Sequence, residues 1–334
     1  MKKRHTYLWA MIYGVLLTAF TVYILLDAFI IPHDIVYISD TVESTDASGS
    51  DTVGENDKTD DTDDTDVTEE NDDDTSVTDE ETTDGGSGKI IITDTSYICD
   101  EFSIVITTYR ENDTDIYVAD IVLGSPSYLS AGLAGGAFGR NLTAKTSEIA
   151  EEVGAILAIN GDYYGYRDTG YVMRNGYLYR TTASDDEDAE DLVIYEDGTW
   201  EIVYEADVTA EELAAAGAYQ IFSFGPSLLR DGTISVSKST EVEQARSSNP
   251  RTAVGYISDC HYVFVVSDGR TDESEGLTFY ELAVFMQSLG CTLAYNLDGG
   301  GSSTMWFLGT VVNNPTSSGN SIKERSVSDI VYIG

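Results

Sequence analysis

Three regimes of hydrophobic patterning follow one another along the chain. Residues 8–26 are an apolar run without a charged side chain, long enough to cross a bilayer as a helix of about 20 residues. Residues 39–88 carry almost nothing apolar, as in DKTDDTDDTDVTEENDDDTS, so they cannot bury enough surface to offset the entropy of ordering. From residue 89 onward short apolar runs alternate with polar turns. Residues 103–107 and 116–123 read as strands of a hairpin turned at Glu111-Asn112-Asp113. TSEIAEEV at 146–153 has helical spacing stopped by Gly154, and a buried strand at 155–159 then runs into NGDYY at 160–164. Asn175-Gly176 and Asp197-Gly198 break 171–204 into hairpins with type I′ turns. A short helix at 210–216 and a strand at 219–223 lead to GPSLL at 225–229.

The last hundred residues supply the most specific geometry. Runs 252–257 and 262–267 predict an antiparallel hairpin, and if Ile257 faces Tyr262 then Arg251 lies opposite Asp268. TFYELAVFMQSL at 278–289 follows as an amphipathic helix, then a strand at 293–297. Strand, helix and strand in that order predict a right-handed parallel crossover that ends both strands on one rim. Asp268 and Asp298 then share that rim, and Asp162 joins them if the strand before Asn160 runs the same way. The expected result is a cleft of up to three carboxylates.

Charge and composition narrow its contents. Lys2, Lys3 and Arg4 precede the apolar run, and no small-residue cleavage site ends it, which reads as a retained single-pass membrane anchor with a cytoplasmic N-terminus and an extracytoplasmic remainder. The organisation is therefore 1–38 (basic terminus and anchor, helix about 8–26), 39–88 (a disordered, self-repelling acidic linker) and 89–334 (one large domain with its own core). A formal net charge of −41 excludes nucleic acid as a partner, since nothing would neutralise phosphates along a duplex. Cys99, Cys260 and Cys291 leave at least one thiol unpaired, so the chain is not a disulfide scaffold. Zinc-type spacing is absent, and His261, at the far end of its hairpin from Arg251, disfavours a Ser-His-Asp triad.

The stretch LAYNLDGGGSSTMW at 293–306 carries the chemistry. A buried strand stops at Asp298, and Gly299, Gly300, Gly301 and Ser302 read as a loop whose backbone N–H groups hold an anion. Arg251, with its planar guanidinium, suits a phosphate. Tyr163, Tyr164, Tyr166 and Tyr171 offer rings for stacking on a sugar or for the core.

NGDYY at 160–164, GPSLLRDG at 225–232, NPRTAVG at 249–255, SDGR at 267–270, NLDGGGSSTM at 296–305 and Arg325-Ser326-Val327 together resemble the phosphodiester glycosidase family across most of 89–334. The resemblance implies an α+β domain, a mixed β-sheet with packed helices, that cleaves a sugar 1-phosphodiester of the N-acetylglucosamine type in surface glycan or exopolysaccharide. On that reading Asp298, Asp268 and Asp162 are catalytic, and Arg251, Arg270, Asn160, Gly299, Gly300, Gly301 and Ser302 bind substrate. No cofactor is required. Two rivals remain: a phosphodiesterase holding a divalent cation such as calcium on Asp162, Asp268 and Asp298, and a non-catalytic module that binds wall polymer.

Overall fold

The structure, a computed structural model, describes residues 36–37, 90–240, 248–318 and 321–334. The 8–26 run and the 39–88 segment lie outside the described residues, among which no helix is long and apolar enough to cross a membrane. Strand Val36–Tyr37 pairs antiparallel with Ala137–Phe138.

Local signals place many of the elements. Phe102–Glu111 (β1) and Thr114–Leu123 (β2) form the first hairpin. Asn112 and Asp113 turn it with φ of 49° and 51°, the left-handed pair of a type I′ turn. Helix Thr146–Val153 (α1) ends on left-handed Gly154 and feeds Leu157–Asn160 (β3). Asn175 and Gly176 both take positive φ as expected, but at Asp197-Gly198 only the glycine does, so that turn is not type I′. Helix Ala210–Ala215 (α2), the hairpin Arg251–Ser258 (β4) and His261–Ser267 (β5), helix Phe279–Ser288 (α3) and strand Leu293–Asn296 (β6) complete the predicted set.

The expected α+β architecture is overturned. Strand makes up 45% of the described residues and helix 15%, and the ladders among them are antiparallel rather than mixed. The crossover explains the difference. β5 and β6 do run the same way around α3, but β4 lies between them and pairs antiparallel with both. These strands belong to a nine-stranded sheet in which β2 and β1 continue beyond β5. β3 sits in a second, five-stranded sheet between Met305–Phe307 and Asp329–Ile333, and a third sheet holds Val172–Arg174, Ala218–Phe222 and Glu190–Tyr195.

The sheets share one core. Val254, Phe264 and Tyr295 of the large sheet pack with Ile159 and Val331 of the second and with Leu192 and Phe222 of the third. The other face of the large sheet, through Ala253, Val263 and Val265, is covered by Leu282, Phe285 and Met286 of α3. Burial on both faces is why these strands read as continuous apolar runs rather than strict alternation. α1 and α2 cover the outer faces of the second and third sheets through Ile149 and Leu213.

Hairpin register differs from expectation by one residue. Ser258 faces His261, but a bulge between Tyr256 and Ser258 leaves Tyr256 opposite Tyr262 and Arg251 opposite Ser267. The extra residue, Ile257, shifts everything below it.

One buried ionic group ties the second and third sheets together. Arg174, without exposed surface, donates from Nε to Asp329 Oδ2 at 2.8 Å. Its Nη2 lies 2.9 Å from Asp162 Oδ2 and 2.8 Å from Asp329 Oδ2, within ion-pair distance but off hydrogen-bond alignment. Nη1 donates to Met173 O at 2.9 Å and to Ile221 O, and the guanidinium stacks 4.0 Å from the Phe222 centroid. One cation faces two carboxylates. Burial accordingly raises the Asp329 pKa, an effect that Arg174 only partly offsets and Asp162 reinforces.

Removing the cation leaves two buried acids uncompensated, so Arg174→Met is expected to lower stability by about 3–5 kcal/mol. Adding Asp329→Asn should recover part of the loss. Urea unfolding of the three proteins measures both effects; an unchanged midpoint in the single variant would contradict the assigned role.

Candidate active site

The Asp298 turn is assembled by a fully buried asparagine at the end of β3. Asn160 Nδ2 donates to Asp298 O at 2.7 Å and to Gly161 O at 3.2 Å. Its Oδ1 accepts from Thr252 Oγ1 on β4 at 2.8 Å and from Thr304 N at 3.2 Å. Asn160, expected to bind substrate, spends its amide joining two sheets and fixing the backbone of Asp298.

Asp298 lines a cavity of about 200 Å³ with Asp162, Tyr163, Tyr166, Ser302, Arg325 and Ser328. Its Oδ1 accepts the Gly299 N–H at 2.9 Å. Burial of the carboxyl in the cavity wall raises its pKa, and Ser302, Arg325, the Gly299 N–H and Arg167 pull in the opposite direction. The Ser302 hydroxyl is close enough to exert that pull, yet its geometry falls short of a hydrogen bond. Ser302 and Ser328 are buried residues of the cavity lining whose hydroxyls have no hydrogen-bond partner among the described residues.

The three glycines, expected to offer their N–H groups to an anion, sit in a tightly bonded loop. Most of the loop amides are already engaged: Gly300 N–H donates to Pro250 O at 2.8 Å, and Ser302 and Ser303 donate to Gly299 O and Gly300 O. Only Gly300 is left-handed, with φ of 62°. What the triplet supplies is clearance. A Cβ on Gly300 would stand 2.7 Å from Arg270 Nη2, and one on Gly301 2.7 Å from Arg325 Nη2. Two guanidiniums therefore rest on the loop beside Asp298. They are near enough to interact, since burial and then Arg325 lower the Arg270 pKa while Asp298 raises it.

The other expected site residues separate. Asp162 reaches the cavity, but its oxygens accept from Tyr164 N at 2.9 Å and Ser223 N at 3.1 Å and face Arg174, which brace it in place. Asp268 does not line the cavity. Its carboxylate binds Asn313 Nδ2, the Asn314 N–H and side chain, and the Tyr117 hydroxyl, and Asn313 in turn holds Ser303 O and Met305 N. Arg251 is turned toward α3: Nε donates to Leu277 O at 2.9 Å and the guanidinium stacks 3.9 Å from the Phe279 centroid. Burial, then Arg270, pushes its pKa down to about 10. The three carboxylates do not converge, and among the described residues no group of three or more His, Cys, Asp and Glu is placed to hold a metal ion.

Of the tyrosines, Tyr163 and Tyr166 stack at 4.7 Å and stay exposed at the cavity. Tyr164 and Tyr171 are core. Sequence reasoning left Arg325, Ser328, Arg167 and the Arg174–Asp329 pair out of the site. Their signal is long-range: Ile330 pairs with Asn160 across two sheet strands, which delivers Arg325 to Asp329 beside the β3 turn.

A family model described as phosphodiester glycosidase matches residues 153–334, more than half of the chain. The SPbeta prophage-derived uncharacterized protein YomE of Bacillus subtilis is 33% identical over 201 residues, covering 59% of this chain and 30% of that protein. The N-acetylglucosamine-1-phosphodiester alpha-N-acetylglucosaminidase of Mus musculus is 29% identical over 206 residues, 57% of this chain and 39% of the mouse protein. The chain thus spans less than half the length of these curated relatives. The zebrafish catalytic domain of that enzyme, auto-inhibited by its pro-peptide, shares the fold with a TM-score of 0.55 at 22% identity, covering 70% of this chain and 82% of its own. Match and fold lead to one assignment: the chain belongs to the phosphodiester glycosidase family.

Proposed function

We propose that the domain hydrolyses the glycosidic bond of a sugar 1-phosphodiester of the N-acetylglucosamine type, with Asp298 acting at the anomeric carbon. The observation that carries this reading is the pairing of one cavity-facing carboxylate with two guanidiniums on the adjacent glycines. Arg270 and Arg325 supply the donors that a phosphodiester anion requires, and Ser302 and Ser328 belong to the wall of the cavity that takes the sugar. Tyr163 and Tyr166 offer it an aromatic wall.

Only one carboxylate is available for chemistry, because Asp162 is braced by Arg174 and two backbone amides. That suits this leaving group. A departing phosphomonoester has its second pKa near about 6, so it leaves without a proton from a second acid, unlike an ordinary sugar alcohol. Asp298 works ionised, either as nucleophile or as base toward water. Because burial raises its pKa, the ionised fraction grows with pH through a carboxyl titrating above the ordinary aspartate value of about 3.9.

The finer placement rests on the sequence: the 8–26 run anchors the domain in a membrane, facing surface glycan or exopolysaccharide outside the cell. Protease added to intact cells should then degrade the domain, and full protection until lysis would contradict this placement.

For the chemistry, Asp298→Asn should lower kcat by about 10²–10⁴-fold on a synthetic N-acetylglucosamine 1-phosphodiester, assayed as free sugar. In the unaltered protein kcat/KM should rise with pH through a single ionisation, with no alkaline fall from a carboxylic acid. Retention of the full rate by the asparagine variant would remove Asp298 from the mechanism.

A further inference from the structure

The third sheet buries two further carboxyl groups side by side on one face. Asp191, on the strand Glu190–Tyr195, has no exposed surface and pairs with Val203 of the antiparallel strand Trp200–Tyr204. Glu205, also buried, comes two residues after Val203 and so points to the same face, diagonally across from Asp191. On the other side of Asp191, the pairing of Leu192 with Phe222 brings Ser223 alongside. The rest of that face is apolar, with Val193 and Ile221 packed against Leu213 of α2.

Donors are shared unequally between the two acids. Glu205 Oε1 accepts from Ser223 Oγ at 2.9 Å and from Tyr171 N at 3.3 Å, and its Oε2 accepts from Ser184 N. Three of the roughly four lone-pair sites of a carboxylate are thus in use. Asp191 is the reverse: neither of its oxygens accepts a hydrogen bond from a described residue, although it lies within hydrogen-bonding reach of Glu205. The guanidiniums of the region are engaged elsewhere. Arg167 and Arg180 donate to Ser223 O and Gly170 O, Arg174 faces Asp162 and Asp329, and Arg230 faces Glu190.

Two neighbouring carboxyl groups in a buried site do not both ionise. A proton on Asp191 fills the fourth lone-pair site of Glu205 and gives Asp191 its missing bond. Asp162 from the β3 turn, Tyr295 from β6 and Tyr171, with Glu211 and Glu212 of α2 behind it, are the other titratable groups that face the pair. Burial, then Glu205, then Asp162 favour the protonated form of Asp191, and the Ser223 hydroxyl opposes it.

We propose that Asp191 is a neutral acid near neutral pH, that it shares its proton with Glu205, and that this shared proton is a pH-sensitive clamp built into the third sheet. While it is in place, Glu205 gathers the Ser184 and Tyr171 N–H groups and the Ser223 hydroxyl on one carboxylate. Its loss sets two buried charges against each other and loosens all three. Ser223 also donates its N–H to Asp162 at 3.1 Å, so the clamp backs a residue of the Asp298 cavity. The inference stands apart from the glycosidase reading, and its test needs no substrate.

The test is linkage. Unfolded, Asp191 titrates near about 3.9; folded, it titrates higher. The folded chain therefore holds one extra proton between those two values. The stability this contributes is fully present below the unfolded value, declines as pH rises and levels off once the folded acid ionises. Urea unfolding of the full chain is compared with Asp191→Asn and Asp191→Leu, neither of which has a proton to lose. The folding constant of the unaltered protein relative to either variant should fall about tenfold per pH unit between about pH 5 and about pH 7. A ratio independent of pH over that range would overturn the proposal. So would loss of folding in both variants, which would mean that the fold needs a charged carboxylate at 191. Calcium chloride supplies the last arm: no change in the midpoint is expected, and a rise that both substitutions abolish would put a cation, not a proton, between the two acids.

Discussion

Arg174 has no exposed surface and faces two carboxylates, and the site depends on that arrangement. A buried cation is tolerated only when paired and hydrogen-bonded, so Arg174 draws Asp162 from the β3 turn and Asp329 from the neighbouring strand into fixed positions. Asp162 lines the cavity, and Asp329 follows Ser328 of its wall. Asn160 and Gly161 then transmit the fixed β3 end to Asp298, through its carbonyl and its N–H. The carboxylate assigned to the chemistry is therefore held by its backbone, while its side chain keeps an oxygen toward the cavity.

The same logic separates residues that resemble one another in sequence. Asp162, Asp268 and Asp298 each follow an apolar strand and precede or contain a glycine turn, yet Asp162 balances a buried arginine and Asp268 anchors Asn313 and Asn314. Arg251 and Arg270 stand at neighbouring strand ends, but Arg251 lies under α3 and Arg270 lies over Gly300. In each case the partners decide the role, and the partners come from elsewhere in the chain.

This is also where sequence reading succeeds and stops. Turn chemistry is local, so the Asn112-Asp113 and Asn175-Gly176 hairpins, the three helices and the strand before Asp298 were legible. The crossover correctly placed two strand ends on one rim. It could not show that β4 inserts between them, nor that a bulge at Ile257 moves Arg251 opposite Ser267. At glycines 299–301 the absence of a side chain was read as amide access, and in the structure guanidiniums from Arg270 and Arg325 lie close against Gly300 and Gly301. Arg325 lay in a quoted motif, but only pairing of the last strand with β3 brings it to the site.

With Asp298 at the anomeric carbon the bond to the sugar carbon breaks, whereas the rival phosphodiesterase breaks a phosphorus–oxygen bond. Hydrolysis of an N-acetylglucosamine 1-phosphodiester in water enriched in heavy oxygen separates the two, with the phosphomonoester product read by phosphorus NMR. Carbon–oxygen cleavage, the outcome expected with Asp298 at the anomeric carbon, leaves that product without label and puts the heavy oxygen on the anomeric carbon. Heavy oxygen in the phosphomonoester would contradict it.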